Sequence, residues 1–294
     1  LNFFKKLQKV LINVYTLDRL IKKQIMLSNL EQSALKSKES IIDVGSNNNI
    51  VVSLTTYSKR INQVHLVIES ISRQSIRPNK IILWLDKSEF SECTLPVVLK
   101  SQESRGLEIR YCDNLKSYKK LIPTLMEFKS SNIITVDDDI LYPYFLIEGF
   151  VKDSKNYKDT VLCYRGHGIN IQELTTYSKW DLFTNSKSPS RLLFPTGVGG
   201  VYYPKGSLHE GVTNYELAKR LAPNGDDIWF KAMSLKNNVN SKIVSLDFCW
   251  ENDFFEIEDG KDISLSIKNL QQNENNKQIE NVFKELYLIR YLDN

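Results

Sequence analysis

The 294 residues are 41% apolar and 25% charged with a net charge of +4, the balance of a globular chain long enough for one large domain or two modest ones. So mild a charge, with lysines scattered rather than gathered into a basic arm, argues against nucleic acid as a partner. No run approaches the roughly 18 apolar residues of a membrane span, and Cys93, Cys112, Cys163 and Cys249 lie too far apart for a CxxC pair or a metal spacing with the three histidines.

The cysteines are therefore expected to be reduced, mostly buried thiols of a cytoplasmic protein. The sequence opens on Leu1, which leaves a preceding segment open. Residues 1–28 place Phe4, Leu7, Leu11, Val14, Leu17, Ile21 and Ile25 at a helical period, with Lys5, Lys6, Lys9, Arg19, Lys22 and Lys23 filling much of the remainder. The pattern predicts a basic amphipathic helix suited to an anionic membrane surface, with Phe3 and Phe4 aiding contact, or to a second copy of the chain. Ser40 to Asn49 is rich in Gly and Asn and reads as a linker, so residues 1–46 are expected to stand apart from the main domain.

Ile50-Val51-Val52-Ser53-Leu54-Thr55 is the first buried-strand pattern, followed by the polar Thr56-Tyr57-Ser58-Lys59-Arg60 and a helical pattern through Val64, Val67, Ile68 and Ile71. After Pro78, Lys80 to Asp86 reads as a second strand, Leu95 to Leu99 as a short helix, and Leu107 to Tyr111 as a third strand just before Asp113. Ser117 to Phe128 predicts a helix carrying Lys119 and Lys120, irregular at Pro123. The run Asn132-Ile133-Ile134-Thr135-Val136 is apolar without alternation, as in a strand covered on both faces. It ends in Asp137-Asp138-Asp139. Three adjacent acids cannot continue such burial, so the chain must surface there, at the carboxyl end of a strand, where open α/β sheets place their ligands. Residues i and i+2 of an extended chain point the same way, so Asp137 and Asp139 are expected to converge on one hard cation while Asp138 faces elsewhere.

Strands alternating with helices predict a parallel sheet of βαβ units, with Asp86, Asp113 and Asp137 along one crevice. No GxGxxG follows the first strand and no GxxxxGK[ST] occurs anywhere, so diphosphate charge would have to be met by a metal and by lysine or arginine. Beyond it come a short strand at Val161 to Tyr164, then Arg165-Gly166-His167-Gly168 and a polar excursion over 172–191. The glycine-rich Phe194 to Pro204 follows, then Gly225-Asp226-Asp227 opening a helix, a strand at Lys242 to Phe248, and a tail helix carrying Ile279, Val282, Phe283, Leu286 and Ile289.

In order and content, the runs Val51 to Arg60, Lys116-Ser117-Tyr118-Lys119-Lys120-Leu121, Thr135 to Pro143 and Thr196-Gly197-Val198-Gly199-Gly200 resemble the GT-A glycosyltransferases. More narrowly, they resemble bacterial enzymes of surface-polysaccharide loci related to family 2. The resemblance covers about residues 48–250 and neither terminal helix. It implies an α/β, Rossmann-like mixed sheet flanked by helices over 47–255, with a helical tail over 256–294. It also implies a nucleotide-sugar donor (a UDP-sugar favoured), Mn2+ or Mg2+, and a glycan or lipid-linked acceptor in capsule or O-antigen synthesis at the cytoplasmic face of the inner membrane.

Residue by residue, the resemblance places Asp86 at the base, and Thr55 and Tyr57 near base or ribose. Asp137 falls on the ribose side and at the metal, Asp138 among the donor-binding residues, and Asp139 at the metal. Gly199 and Gly200 fall in the sugar or acceptor wall, and Asp227 becomes the catalytic base with Asp226 as its stand-in. Arg60, Lys119, Lys120 or Arg165 would meet the phosphate charge. Asp86-Lys87-Ser88 departs from the usual Asp-Gly-Ser, and the absence of a QxxRW-type segment implies transfer of a single sugar. Competing readings are a sugar-phosphate nucleotidyltransferase, which should carry a glycine-rich loop after the first strand, a carbohydrate-binding module without turnover, and a metal nuclease. A retaining transferase also competes, with His167 as a possible ligand.

Overall fold

The computed structural model describes residues 2–257 and 274–292, with side chains from residue 11 onward. The expectations for Phe3, Phe4, Lys5, Lys6, Leu7 and Lys9 as side chains, and for the 258–273 part of the tail, lie outside that description.

A long helix, α1 (Asn2–Lys36), leads into β1 (Ile50–Thr55), α2 (Val64–Ser72), β2 (Lys80–Asp86), α3 (Val97–Glu103), β3 (Leu107–Cys112), α4 (Ile122–Glu127) and β4 (Asn132–Thr135). The second half runs β5 (Ile140–Leu141), α5 (Leu146–Ser154), β6 (Val161–Cys163), β7 (Gly166–Gly168), β8 (Leu193–Pro195) and β9 (Val201–Tyr203). It continues through α6 (Tyr215–Leu221), α7 (Asp226–Lys236), β10 (Ser241–Ile243), α8 (Trp250–Asp253), β11 (Phe255–Glu256) and α9 (Glu274–Glu285). Seven strands form one sheet in the order β10-β6-β9-β4-β1-β2-β3. Within it β9 alone runs antiparallel, pairing with β4 and β6. The expected α/β mixed sheet flanked by helices is the architecture observed.

Alternate residues of each central strand feed opposite faces, which is why the sequence reads as apolar throughout. Val52, Leu54, Ile81, Leu83 and Ile134 join α2, α3 and α5 in one core. On the other face Ile133, Val201 and Tyr203 pack with α4, α6, α7 and α9 in a second. Parallel β1, β2, β3 and β4 bring their carboxyl ends to a single edge.

Several local expectations are corrected. The stretch read as a linker is packed: Ile41 is fully buried, its N–H bonds to the Arg105 carbonyl, and the Asp43 N–H bonds to the Pro78 carbonyl. The helix expected over 1–28 runs on to Lys36, and one side of its last turns docks on the core, with Leu30 and Ala34 buried and Ser33 donating to Glu69. The tail helix also docks, through Ile279, Val282 and Phe283, but it ends at Glu285 and leaves Ile289 exposed. β11 pairs with β5, so the expected boundary at 255 falls inside a strand. The helix expected over 117–128 is a 3-10 turn, Lys116–Lys120, and then α4, split at Leu121 with Pro123 at the start of the second piece. Of the four thiols only Cys163 is buried; Cys93 and Cys249 are exposed.

Candidate active site

β4 stops at Thr135, and the three acids occupy the turn beyond it. That turn is pinned by Tyr142, whose hydroxyl accepts the Asp137 N–H at 2.8 Å and donates to the Val198 carbonyl at 3.3 Å, tying the acidic turn to the glycine-rich segment. From below, the Asp139 carbonyl accepts the Ile257 N–H at 2.7 Å.

Asp138 faces away from Asp137 and Asp139, as the strand argument expects. Asp138 turns inward and is only 7% exposed, accepting from the Thr56 hydroxyl at 2.6 Å and from Arg60 at 2.7 Å. Arg60 also reaches Asp139 at 3.0 Å, so the polar segment after β1 is stitched to the acidic turn by one guanidinium. Burial pushes the Asp138 carboxyl up, against the pull of Arg60 and Thr56. Asp138 is thus a buried support rather than a donor contact, which corrects its placement among the donor-binding residues. Asp139 is pushed up to about 7, first by burial and then by the charge of Asp137.

Asp137 turns toward Lys120, whose ammonium lies 3.0 Å from Asp137, 2.9 Å from Asp226 and 4.0 Å from Asp227. One buried cation therefore gathers three carboxylates from β4's end and the start of α7. Lys119 points the other way, near Asp86. At the crevice floor Gly197 makes the approach possible: a Cβ there would lie 2.7 Å from the Lys120 ammonium, 3.2 Å from an Asp227 oxygen and 3.3 Å from an Asp137 oxygen. Its N–H donates to the other Asp227 oxygen at 2.9 Å. Gly200, at φ +78°, takes a backbone suited to glycine, and Gly199 is wedged against Trp250, Tyr164 and Arg165. Sequence reasoning named Gly199 and Gly200; the residue that touches the carboxylates is Gly197. It was legible only as one glycine among three.

Asp226 and Asp227 both lie in the first turn of α7, and neither side chain caps it. Asp226 pairs with Lys120 instead. Asp227 keeps 29% of its side chain exposed. Its carboxyl is pushed up to about 7, chiefly by burial, with Asp226 and Asp137 adding to the rise and Lys120 opposing it.

Asp86, at the end of β2, is buried and accepts both the Ser88 N–H and hydroxyl on one oxygen, at 2.8 and 2.7 Å. Burial would raise its pKa, but the Ser88 bonds and the Lys119 charge outweigh that and hold it low. The serine of the atypical Asp86-Lys87-Ser88 thus fixes the carboxylate, while Lys87 turns outward to Asp113 at 2.7 Å. Asp113 is therefore a rim residue, not part of the crevice. Thr55 donates to the Trp84 carbonyl at 2.8 Å, and the Tyr57 ring lies 5.2 Å under the Arg60 guanidinium.

Arg165 is a further, partly buried cation of the crevice. Its guanidinium sits between the rings of Phe183 at 4.6 Å and Trp250 at 5.5 Å, and among the described residues no carboxylate is within ion-pair distance of it. Burial lowers its pKa while the charges of Asp227, Glu256 and Asp137 oppose the fall. His167 is no metal ligand candidate: it is buried, accepts the Phe183 N–H on Nδ1 at 2.9 Å, and is pushed down to about 4 by burial and by Arg165.

Among the described residues no cluster of three His, Cys, Asp or Glu side chains is placed to hold a cation by itself. The available donors are Asp137 and Asp139, 25% and 32% exposed on the crevice. Two carboxylates suit Mg2+ or Mn2+, which complete their shell with phosphate oxygens and water, so the pair fits such an ion.

No protein-family model and no curated protein matches the chain. Solved structures do. The mannosyltransferase PcManGT of Pyrobaculum calidifontis, in complex with GDP-Man and Mn2+, is 13% identical at a TM-score of 0.43 over 78% of this chain and 64% of its own. S. aureus TarS 1–349 with UDP is 14% identical at 0.47, over 68% of this chain and 58% of its own. The same protein with UDP-GlcNAc gives 11% and 0.43, over 68% and 56%. The chain thus spans about three fifths of the length of these structures. At such identities and scores the chemistry rests on this chain's own residues.

Proposed function

We propose that the chain is a GT-A-type glycosyltransferase. In this reading it moves one sugar, with inversion, from a nucleotide-sugar donor to a hydroxyl of a glycan or lipid-linked acceptor in bacterial surface-polysaccharide synthesis. The observation that carries the reading is the meeting of Asp137, Lys120, Gly197 and Asp227 at the carboxyl edge of the sheet. It sets a carboxyl held near neutrality beside an acidic pair suited to a metal-bound diphosphate.

In this mechanism Asp227 takes the proton of the acceptor hydroxyl while that oxygen bonds to the anomeric carbon. The bond from that carbon to phosphate breaks, and its electron pair leaves with the nucleoside diphosphate. A base near pKa 7 is matched to this task, and general-base help is typically worth about 10²–10⁴-fold. The Gly197 N–H orients the carboxylate, and the Lys120 charge keeps a fraction of it ionised. Arg165, partly buried and with no carboxylate at ion-pair distance among the described residues, stabilises the charge developing on the leaving diphosphate. A cation held by Asp137 and Asp139 would offset the diphosphate charge as a Lewis acid. Asp86, with one oxygen committed to Ser88, offers the other to the base.

The nucleotidyltransferase alternative lacks support: the loop after β1 holds no glycine and is committed through Thr56 and Arg60 to Asp138. A thermal-shift panel of UDP and GDP with Mn2+ tests the donor site, since a ligand at 100 times its Kd stabilises by about 2.7 kcal/mol. A shift with either, together with release of free nucleotide from UDP-GlcNAc or GDP-mannose, supports the transferase. Binding without release favours a recognition module, and no shift with any member overturns the reading.

The second part of the proposal is attachment at an anionic membrane surface through α1. No described helix is long and apolar enough to cross a membrane. Yet Leu11, Val14, Leu17, Ile21 and Ile25 are each 49–61% exposed, on the side away from Leu30 and Ala34, which dock.

A further inference from the structure

We infer that Phe183 is a stacking platform for a pyranose ring of the acceptor, and that the polar groove beside it carries the rest of a glycan chain. The inference deepens the transferase reading and rests on it for naming the second substrate. Phe183 is a large aromatic left 59% exposed, and its backbone lies at φ +59°, where residues with a bulky side chain are strained. Neither feature serves a core. The conformation is held from several directions: His167 Nδ1 accepts its N–H at 2.9 Å, and two backbone bonds between Gly168 and Asp181, at 2.8 and 2.9 Å, pin the chain two residues before it. The His167 ring meets it edge-on at 5.1 Å, and the Arg165 guanidinium lies 4.6 Å from its centroid. An exposed ring so held is preorganised to bind a flat apolar face, which is what the axial C–H side of a pyranose presents.

The position is also right for a second substrate. Arg165 links the platform to the crevice, since its guanidinium is near enough to feel the charges of Asp227 and Asp137. The platform and Gly197 meet one end of the same two-stranded ribbon: Gly166 pairs with Pro195, two residues before Gly197, and the chain leaves Asp181 antiparallel to β7, which returns Phe183 to the Arg165 side. On the far side of Phe183, a groove of about 480 Å³ is lined by Asn170, Lys179, Asp181, Thr184, Ser186 and Ser188, among others. Hydroxyls, an amide, one acid and one amine over an apolar floor of Ile169 and Leu193 offer neutral donors and acceptors of the kind sugar hydroxyls pair with, and no concentrated charge to favour an anion.

The test uses the full chain and saturation-transfer NMR with methyl glycosides of glucose, galactose, mannose and N-acetylglucosamine, and with lactose. Phe183→Asn removes the ring while supplying a residue that accepts left-handed backbone, so it should melt no lower than wild type. Phe183→Trp keeps a platform. At least one probe should bind wild type with saturation strongest on its axial C–H face. Its affinity should fall about tenfold in Phe183→Asn and return in Phe183→Trp. UDP and GDP thermal shifts with Mn2+ should be the same in all three proteins. No probe binding to wild type, or equal binding to Phe183→Asn, overturns the platform, as does a Phe183→Asn protein that melts lower and loses its nucleotide shift. If the sugars bind through Phe183 while neither nucleotide binds, the transferase reading falls and the sugar platform stands.

Discussion

In the proposed mechanism Asp227 carries the most chemistry of any single residue, and its environment implies a pH dependence. Because it works ionised, turnover should rise with pH through about 7, and Asp227→Asn should lower kcat by about 10²–10⁴-fold with donor Kd unchanged. The stability effect has the opposite sign. A carboxyl whose folded pKa lies above its unfolded value favours the fold fully below about pH 4, and that contribution is lost as pH rises through about 7. Asp227→Asn should therefore melt no lower than wild type at pH 8, which separates a catalytic from a structural loss. If Asp226→Asn instead abolishes turnover while Asp227→Asn does not, the two roles are exchanged. Asp138 is a support instead: Asp138→Ala removes the buried acceptor of both Thr56 and Arg60 and should cost about 3 kcal/mol, read as a lower melting temperature. Gly197→Ala should fold yet lose about 10²-fold in turnover, because its methyl group displaces the Lys120 ammonium and the Asp227 carboxylate together. Full activity in that variant would remove Gly197 from the site.

At the scale of elements, the terminal helices differ from the expectation of appendages. α9 buries Ile279, Val282 and Phe283 against α7, the helix whose first turn bears Asp226 and Asp227. Ile279→Ala should cost about 2–5 kcal/mol in a denaturant melt, the range for a core truncation. An unchanged midpoint would show that the helix is dispensable. α1 is divided: toward its end Leu30 and Ala34 are core, while near its middle Arg19 donates to the Glu251 carbonyl at 2.6 Å and lies over the Phe255 ring at 5.6 Å. Deleting residues 1–28 outright would therefore cut contacts to the segment that supports the acidic turn. The cleaner test of membrane attachment is the triple change Leu17→Glu, Ile21→Glu and Ile25→Glu, three exposed positions on one side of the helix. It should abolish co-sedimentation with anionic phosphatidylglycerol vesicles and leave melting and soluble-acceptor turnover unchanged. Co-sedimentation that survives the change would sink the attachment, and a fall in oligomeric mass would assign the face to a second copy.

Over the whole molecule, one mixed sheet with a core on each face sets four parallel strand ends along one edge. A crossover strand, β9, then brings the glycine-rich turn beside them. The crevice is thus assembled from the ends of β2 and β4, the turn before β9 and the start of α7, segments from residues 86 to 227. Its cations, the buried Lys119 and Lys120 and the partly buried Arg165, come from a 3-10 turn and a strand connection rather than from a phosphate loop.

The sequence by itself determined the α/β class, the four parallel strands and the surfacing of the chain at Asp137, because runs buried on both faces and acids that cannot be buried are local properties. Of the residues it singled out, Lys120, Asp137, Asp226 and Asp227 come together in the structure. Only the tertiary structure decided which side chain meets which. Asp138 faces away from Asp137 and Asp139, as the period-two argument expects, but β4 ends at Thr135, and the inward direction is fixed by Thr56 and Arg60, some 80 residues earlier. Asp226 pairs with Lys120 rather than capping α7, Gly197 rather than its neighbours lies against the carboxylates, and Phe183 is held open by His167. Each is a contact between residues distant in the chain, made where the packing of the sheet brings them together, and no pattern within one segment encodes such a choice.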